Sequence, residues 1–204
     1  MVKETNTERT ILQAARKVFV TKGMHGARMQ EIADEAGINK ALLHYYFRNK
    51  SKLFEAIFQQ AFQEIAPKFG QVIRSKTSLE EKIRSFVAYY HDLLSENPFI
   101  PLFIINEVHQ NKSLLDGPME LFQENLKNYM GRQLEEGIKA GKYRDISIQQ
   151  LMISTVSLCI MPFLGKPIFE VVLSCKSEGY QQLLEERKTL VPEMILQYLI
   201  LNKS

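Results

Sequence analysis

Between positions 28 and 50 the chain concentrates side chains of the kinds that meet nucleic acid: Arg28, Gln30, Asn39, Lys40, His44, Tyr45, Tyr46 and Lys50. Cationic groups neutralise phosphate, amides reach phosphate oxygens or base edges, and aromatic rings lie against backbone and thymine methyl groups. No set of comparable coherence points to catalysis. The chain has no His-Glu-x-x-His, no Gly-x-Ser-x-Gly and no glycine-rich phosphate loop. Its histidines, His25, His44, His91 and His109, are scattered without metal-ligand spacing. No catalytic residue, metal site or cofactor is expected.

The elements that must hold these side chains are short helices. Apolar residues Ile11, Ala14, Ala15, Val18 and Phe19 share one face of a helix over about 7–21, which Lys22-Gly23 ends. A second helix is expected over about 29–36, with Ile32, Ala33 and Ala36 inward. A third is expected over about 40–47. Ala33 is small where two helices cross closely, and Gly37 permits the tight turn between them. Ile32, Ile38 and Leu43 fill the small core, with Phe47 assigned to it as well. This is a helix-turn-helix pattern, in which the second helix enters the major groove. Asn39 caps that helix and its amide also reaches phosphate. Lys40 stands at its leading end, and Lys50 opens the next helix, where backbone N–H groups and charge favour a phosphate. Gln30 fits a phosphate contact or a solvated position equally. Tyr46 fits a backbone contact or a packing role.

Composition supports a globular chain, and the dominance of helical periodicity without alternating strand patterns makes it all-α. Of its 204 residues 45% are hydrophobic and 24% charged, with a net charge of +3. The charge is uneven: residues 1–53 carry ten Lys and Arg against five Asp and Glu, whereas the remainder carries sixteen against eighteen. A basic N-terminal quarter on a near-neutral body suits a phosphate-binding segment. Cys159 and Cys175 form no disulfide framework and read as free thiols in a reducing compartment. The N-terminus is too polar for a signal peptide. The apolar stretch over 151–173 is interrupted by Pro162, Gly165, Lys166, Pro167 and Glu170, so a buried helix is expected rather than a membrane span.

The segment around 7–65 resembles the N-terminal domain of TetR/AcrR-family regulators. The resemblance rests on Phe19 to Gly23, Ile32-Ala33-Asp34-Glu35-Ala36-Gly37, Lys40, Leu43, Tyr46-Phe47, and Lys50 with Leu53-Phe54. It implies a cytoplasmic transcriptional regulator with a DNA-binding domain over 1–52 and a helical ligand-binding and dimerisation domain over 53–204. It also implies sequence reading by Lys40 and the aromatic group at 44–46, and a phosphate contact by Lys50. Two departures stand out. His44 takes a place where tyrosine is common, which makes any phosphate contact there sensitive to pH. Arg28-Met29 takes the place of a capping threonine or serine, so Arg28 replaces the phosphate contact by charge but leaves the second helix without that cap.

Beyond the head, helices are expected over about 50–66 with a stop or kink at Pro67, then over 79–94, 99–108, 119–140, 146–164 and 177–201, the last with a kink or restart at Pro192. Here the resemblance concerns architecture alone. It implies a homodimer through the C-terminal helices, a palindromic double-stranded DNA operator and a small-molecule inducer that releases it. Phe86, Tyr89, Tyr90, Phe103, Phe122, Tyr129, Met152 and Met161 are of types that line an apolar pocket, although each fits the core as well. Glu107, flanked by Asn106 and His109, fits a pocket carboxylate or a solvent-facing charge. An architectural DNA-binding protein of the same fold, with no inducer, is the alternative reading.

Overall fold

The computed structural model describes residues 2–98, 100–101, 118–175 and 177–201. The described residues are helical, apart from turns and one antiparallel bridge between Tyr143 and Ile200. The expected helix over 99–108, with Phe103, Asn106, Glu107 and His109, lies outside the described residues, apart from Ile100 and Pro101.

The head is built from α1 (Val2–Gly26), α2 (Met29–Glu35) and α3 (Lys40–Tyr46), closed by the first turns of α4 (Lys50–Arg74). Helix α1 begins five residues earlier than expected. Gly23, at φ 67° and ψ 173°, breaks its helical path where the sequence places the stop. Ile11, Ala15, Phe19, Ile32, Ala33, Leu43, Phe47, Leu53, Phe54 and Ile57 form one buried cluster. Phe19 and Phe54 meet at its centre with ring centroids 5.1 Å apart.

Helix α4 joins the head to the body. It runs through Pro67 to Arg74 rather than stopping or breaking there. The turns beyond the proline have packing to gain: Phe69 stacks on Phe86 of α5 (Leu79–Glu96) at 4.8 Å, and Ile73 is fully buried. Tertiary contacts of this kind outweigh the proline's missing hydrogen bond. The start of α5 is fixed by a capping box, with the Ser78 hydroxyl accepting from the Glu81 N–H at 3.2 Å and the Glu81 carboxylate accepting from the Ser78 N–H at 3.0 Å.

The next helix is α6 (Pro118–Asn125), which passes through a π-helical stretch (Leu126–Gly131) into α7 (Arg132–Lys139). Periodicity alone does not announce that stretch. Past α7, Tyr143 packs its ring against Gly137, where an added Cβ would lie 2.0 Å from the ring. Helix α8 (Ile148–Leu164) starts on Ser147, whose hydroxyl accepts from the Gln150 N–H at 3.2 Å. A short α9 (Lys166–Val172), absent from the sequence expectation, follows at 74° to it. Pro167 sits at the first turn of α9, where its missing N–H costs nothing. Helix α10 (Ser177–Leu199) continues through Pro192 without restarting. Its end is clipped to the 142–144 turn by Arg144 N–H donating to the Leu199 carbonyl at 2.8 Å and Leu201 N–H to Lys142 at 2.9 Å. Leu79, Ile83, Val87, Leu94, Leu134, Leu151, Leu184, Val191 and Leu199 belong to the body core. Among the described residues no single helix is long and apolar enough to cross a membrane. Helix α8 buries Leu151, Thr155, Cys159 and Phe163 on one face, with Ile153 and Met161 exposed on another.

Candidate DNA-binding surface

The turn between α2 and α3 sets the angle of α3. Gly37 takes φ 67°, its N–H donates to Asp34 at 3.1 Å, and the Ile38 N–H reaches the Ala33 carbonyl at 3.0 Å. These are the paired bonds of a helix end closed by a left-handed residue. Ile38 then packs on the head core and Leu43 is fully buried. With Leu43 and Phe47 anchored, Lys40, Ala41, Leu42, His44 and Tyr45 are left exposed.

The expected DNA-contacting residues occupy one continuous stretch of α2, α3 and the first turn of α4. Asn39 caps α3, its Oδ1 accepting from the Leu42 N–H at 2.8 Å. Lys40 follows as the first residue of α3 and is exposed. Tyr45 is 75% exposed, whereas Tyr46 is half-buried against the head core, its ring edge-on to Tyr45 at 5.4 Å. Tyr45 is thus open to solvent, while Tyr46 combines packing on the head core with partial exposure. The His44 Nδ1–H donates to the Arg48 carbonyl at 3.2 Å. That leaves Nε2 facing outward, and it carries a proton for a phosphate only when the ring is charged. Lys50 is half-buried, and its Nζ donates to the Ala27 carbonyl at 3.1 Å, tying the start of α4 to the segment before α2. Two further donor positions remain on that ammonium. The N-terminus of α4 is capped by Asn49, which accepts from the Lys52 N–H at 2.9 Å.

Helix α2 is better finished than the sequence suggests. Arg28 offers no capping oxygen, but the Glu31 carboxylate accepts from the Arg28 N–H at 3.2 Å, the returning half of a capping box. The spacing of Arg28 and Glu31 carried that signal. Glu31 also pairs with Lys22 at 2.8 Å, and these two hydrogen bonds hold its carboxyl below the usual range. Glu35 pairs with Lys17 at 3.0 Å, and Asp34 accepts from the Gln30 amide at 2.8 Å. Each acid of α2 is thus matched, and the exposed Arg28 and Lys40 are not offset by a lone carboxylate from that helix. The Gln30 amide keeps a second N–H for phosphate while it holds Asp34.

The expected ligand-lining residues differ in burial. Phe86 and Tyr90 meet Phe69 in a stack, with centroids 4.8 to 6.1 Å apart, and burial pushes the Tyr90 phenol up to about 12. Phe122 and Met152 are half-buried, Phe122 against the body core. Tyr89, Tyr129 and Met161 are between 41% and 48% exposed. Phe103 and Glu107 lie outside the described residues. An open cleft of about 850 Å³ lies elsewhere, between Arg16, Lys17 and Lys22 of α1, Glu31 and Glu35 of α2, and Glu96 of α5. None of the expected ligand residues lines it. Cys159 is buried, which pushes its thiol up to about 12, and it is a packing residue rather than a reactive one.

Comparison with known proteins agrees with this geometry. Residues 11–57 match the family of bacterial regulatory proteins of the tetR type, and residues 80–195 match the tetracyclin repressor-like C-terminal domain. The transcriptional activator FasR of Mycolicibacterium smegmatis is 33% identical over 87 residues, 43% of this chain and 40% of FasR. Among solved structures, FadR of Bacillus subtilis in complex with stearoyl-CoA aligns with a TM-score of 0.61 at 19% identity, covering 92% of this chain and 97% of that one. A transcriptional regulator from Saccharomonospora viridis in complex with choline aligns with a TM-score of 0.71 at 17% identity, covering 97% and 100%. At these identities both likenesses concern the fold. The chain is a transcriptional regulator, not an enzyme, and it belongs to the TetR family.

Proposed function

We propose that the chain is a ligand-responsive repressor that binds a palindromic operator as a homodimer and leaves it when a small molecule occupies the body. The observation that carries this reading is α3. It is held by Leu43, Phe47 and the Gly37 turn, while Lys40, His44 and Tyr45 stand exposed along it. One helix of seven residues reads few base pairs, and two related by a dyad read two half-sites about 34 Å apart. The division into a reading head over 1–52 and a controlling body over 53–204 belongs to the same proposal, as does a cytoplasmic location beside the DNA.

A dimer is supported by the C-terminal helices. Ile153 and Met161 of α8, Ile168, Val171 and Val172 of α9, and Leu190, Met194 and Tyr198 of α10 are exposed apolar side chains. An apolar surface of that extent on a water-soluble regulator marks an interaction site. Coupling between body and head has a physical route. Helix α4 carries Leu53, Phe54 and Ile57 into the head core and Ile73 into the body core, and Ile100, beyond α5, is buried in the head core. A ligand that shifts α4 or α5 therefore shifts the head, with a coupling of about 1–3 kcal/mol, roughly 5- to 150-fold in affinity. Occupancy alone is enough to block a promoter, which makes repression the simplest output. The test is operator affinity with and without fractionated metabolite extracts. A fraction that weakens binding at least fivefold supports the reading. Operator binding indifferent to every fraction favours an architectural protein.

A further inference from the structure

Lys82 stands on α5 among the residues of the body and is 2% exposed. Its ammonium makes no ion pair or hydrogen bond among the described residues; its one aromatic neighbour is Tyr129, whose ring centroid lies 6.0 Å away. The acids next to it in sequence turn to other partners, although Glu80 Oε2 is buried without one among the described residues. Glu80 pairs with Lys142 at 2.6 Å, and Glu81 closes the cap on Ser78. Burial pushes the Lys82 amine below its ordinary value, and no charge or hydrogen bond offsets that. A lysine only 2% exposed, with no counter-charge among the described residues, is costly, so its presence needs a reason.

The surroundings supply one. Tyr129 belongs to the π-helical stretch Leu126–Gly131, a local geometry frequent at functional sites. Four residues on, Gln133 donates through Nε2 to the Thr77 carbonyl at 2.9 Å, while its buried Oε1 has no partner among the described residues. Gln133 thus meets the residue before α5 and Tyr129 meets α5 itself, so the two helices pass antiparallel here. Asn125, 8% exposed, lies one turn further along. On α5 the turn after Lys82 brings Phe86, stacked on Phe69 and Tyr90. A lone cation, buried amides and an aromatic wall follow one another along the α5 side of this helix pair.

We propose that Lys82 anchors the effector, and that the effector is an anionic amphiphile whose acid group pairs with the Lys82 ammonium while its apolar body lies along Phe86 and Phe69. This rests on the ligand-responsive reading above and narrows it. The charge of Lys82 selects against a quaternary ammonium compound and for an acid.

Three probes of equal chain length separate the possibilities: decanoate, decan-1-ol and decyltrimethylammonium, each below its micellar concentration. Binding is read by calorimetry, and operator release by fluorescence anisotropy of labelled DNA. Decanoate is expected to bind the full chain at least tenfold more tightly than the alcohol, with the cation weakest. Lys82→Met is expected to erase the preference for decanoate, and Lys82→Arg to keep it. Without ligand, the melting temperature of Lys82→Met is expected to equal or exceed that of the native chain, because an uncompensated charge has been removed. A lowered melting temperature assigns Lys82 to packing and overturns the proposal. Equal decanoate binding by native chain and Lys82→Met, or no decanoate binding at all, overturns it too. If the alcohol or the cation releases operator while decanoate does not, ligand response stands and the Lys82 site falls. If neither the probes nor metabolite extracts release operator, both fall.

Discussion

Head and body place their uncompensated polar groups on opposite sides. In the head the core is apolar, the acids of α2 are all matched, and the free chemistry of Lys40, His44 and Tyr45 points to solvent. One Arg16 nitrogen is the exception there. In the body, Lys82 has no counter-charge, and the Glu80 Oε2, Asn97 Oδ1, Gln133 Oε1 and Arg187 Nε atoms are buried without partners among the described residues. Reading DNA needs groups held outward on a well-satisfied scaffold. Sensing a small molecule needs groups left unsatisfied until it arrives. Polar atoms of that kind lower stability, so each calls for a reason, and a ligand site is the one the proposed function offers.

The contrast can be broken from either side. The largest effect is expected from Phe54→Ala, which empties the centre of the head core beside Phe19. A loss of about 3–5 kcal/mol is expected in urea unfolding, with operator binding abolished while most of the body's helical signal persists. Simultaneous melting of the body would show the two cores to be one. Gly137→Ala is the counterpart in the body. Its Cβ would press on the Tyr143 ring, for a cost of about 1–3 kcal/mol with the operator preference unchanged. Lys40→Ala is expected to leave stability within about 0.5 kcal/mol and to weaken operator binding by about 1–3 kcal/mol if Lys40 reads a base. A contact to phosphate alone would instead lower the salt dependence by about one unit, uniformly across sequences.

The smallest expected effect is a pH dependence carried by His91. It is 3% exposed, its ring lies against Phe163 at 5.4 Å, and burial holds its imidazole below the ordinary value. The folded state then binds fewer protons than the unfolded chain, so stability rises with pH in this window. It is lost as pH falls below about 6.5, where the unfolded histidine takes up its proton. A backbone hydrogen bond with Leu184 favours that protonation, Lys188 opposes it, and Glu185 and Asp92 favour it, each to a lesser extent than burial. The slope of stability between pH 7 and 5 should be shallower in His91→Gln; an unchanged slope would assign the dependence to carboxylates.

The head was legible because local signals and tertiary structure agree there. Gly23, Gly37 and Asn39 stop, turn or cap where the sequence places them, and the inward positions expected around α1 to α3 are buried or, at Val18, Ala36 and Ile38, partly buried against the head core. The body was less so. Pro67 read as a stop or kink and Pro192 as a kink or restart, yet packing on α5 and the body core carries both helices through. Helix α9 was hidden in an apolar run with no period of its own. Lys82 carried no signal of its own, since a single sequence does not show which charged position of an amphipathic helix faces inward. Tyr46 and Lys50 show the same limit at smaller scale: residue type suggested DNA, and the structure adds a packing role for the first and a carbonyl partner for the second.

The most direct test of the central claim is retention of genomic fragments by the purified native chain and by Lys40→Ala, at moderate and high salt, followed by sequencing. The account predicts that the native chain retains a few fragments sharing one palindrome, that their affinity falls steeply as salt rises, and that Lys40→Ala loses them. Retention of every fragment, or of none, or an unchanged set with Lys40→Ala, would contradict sequence reading by α3.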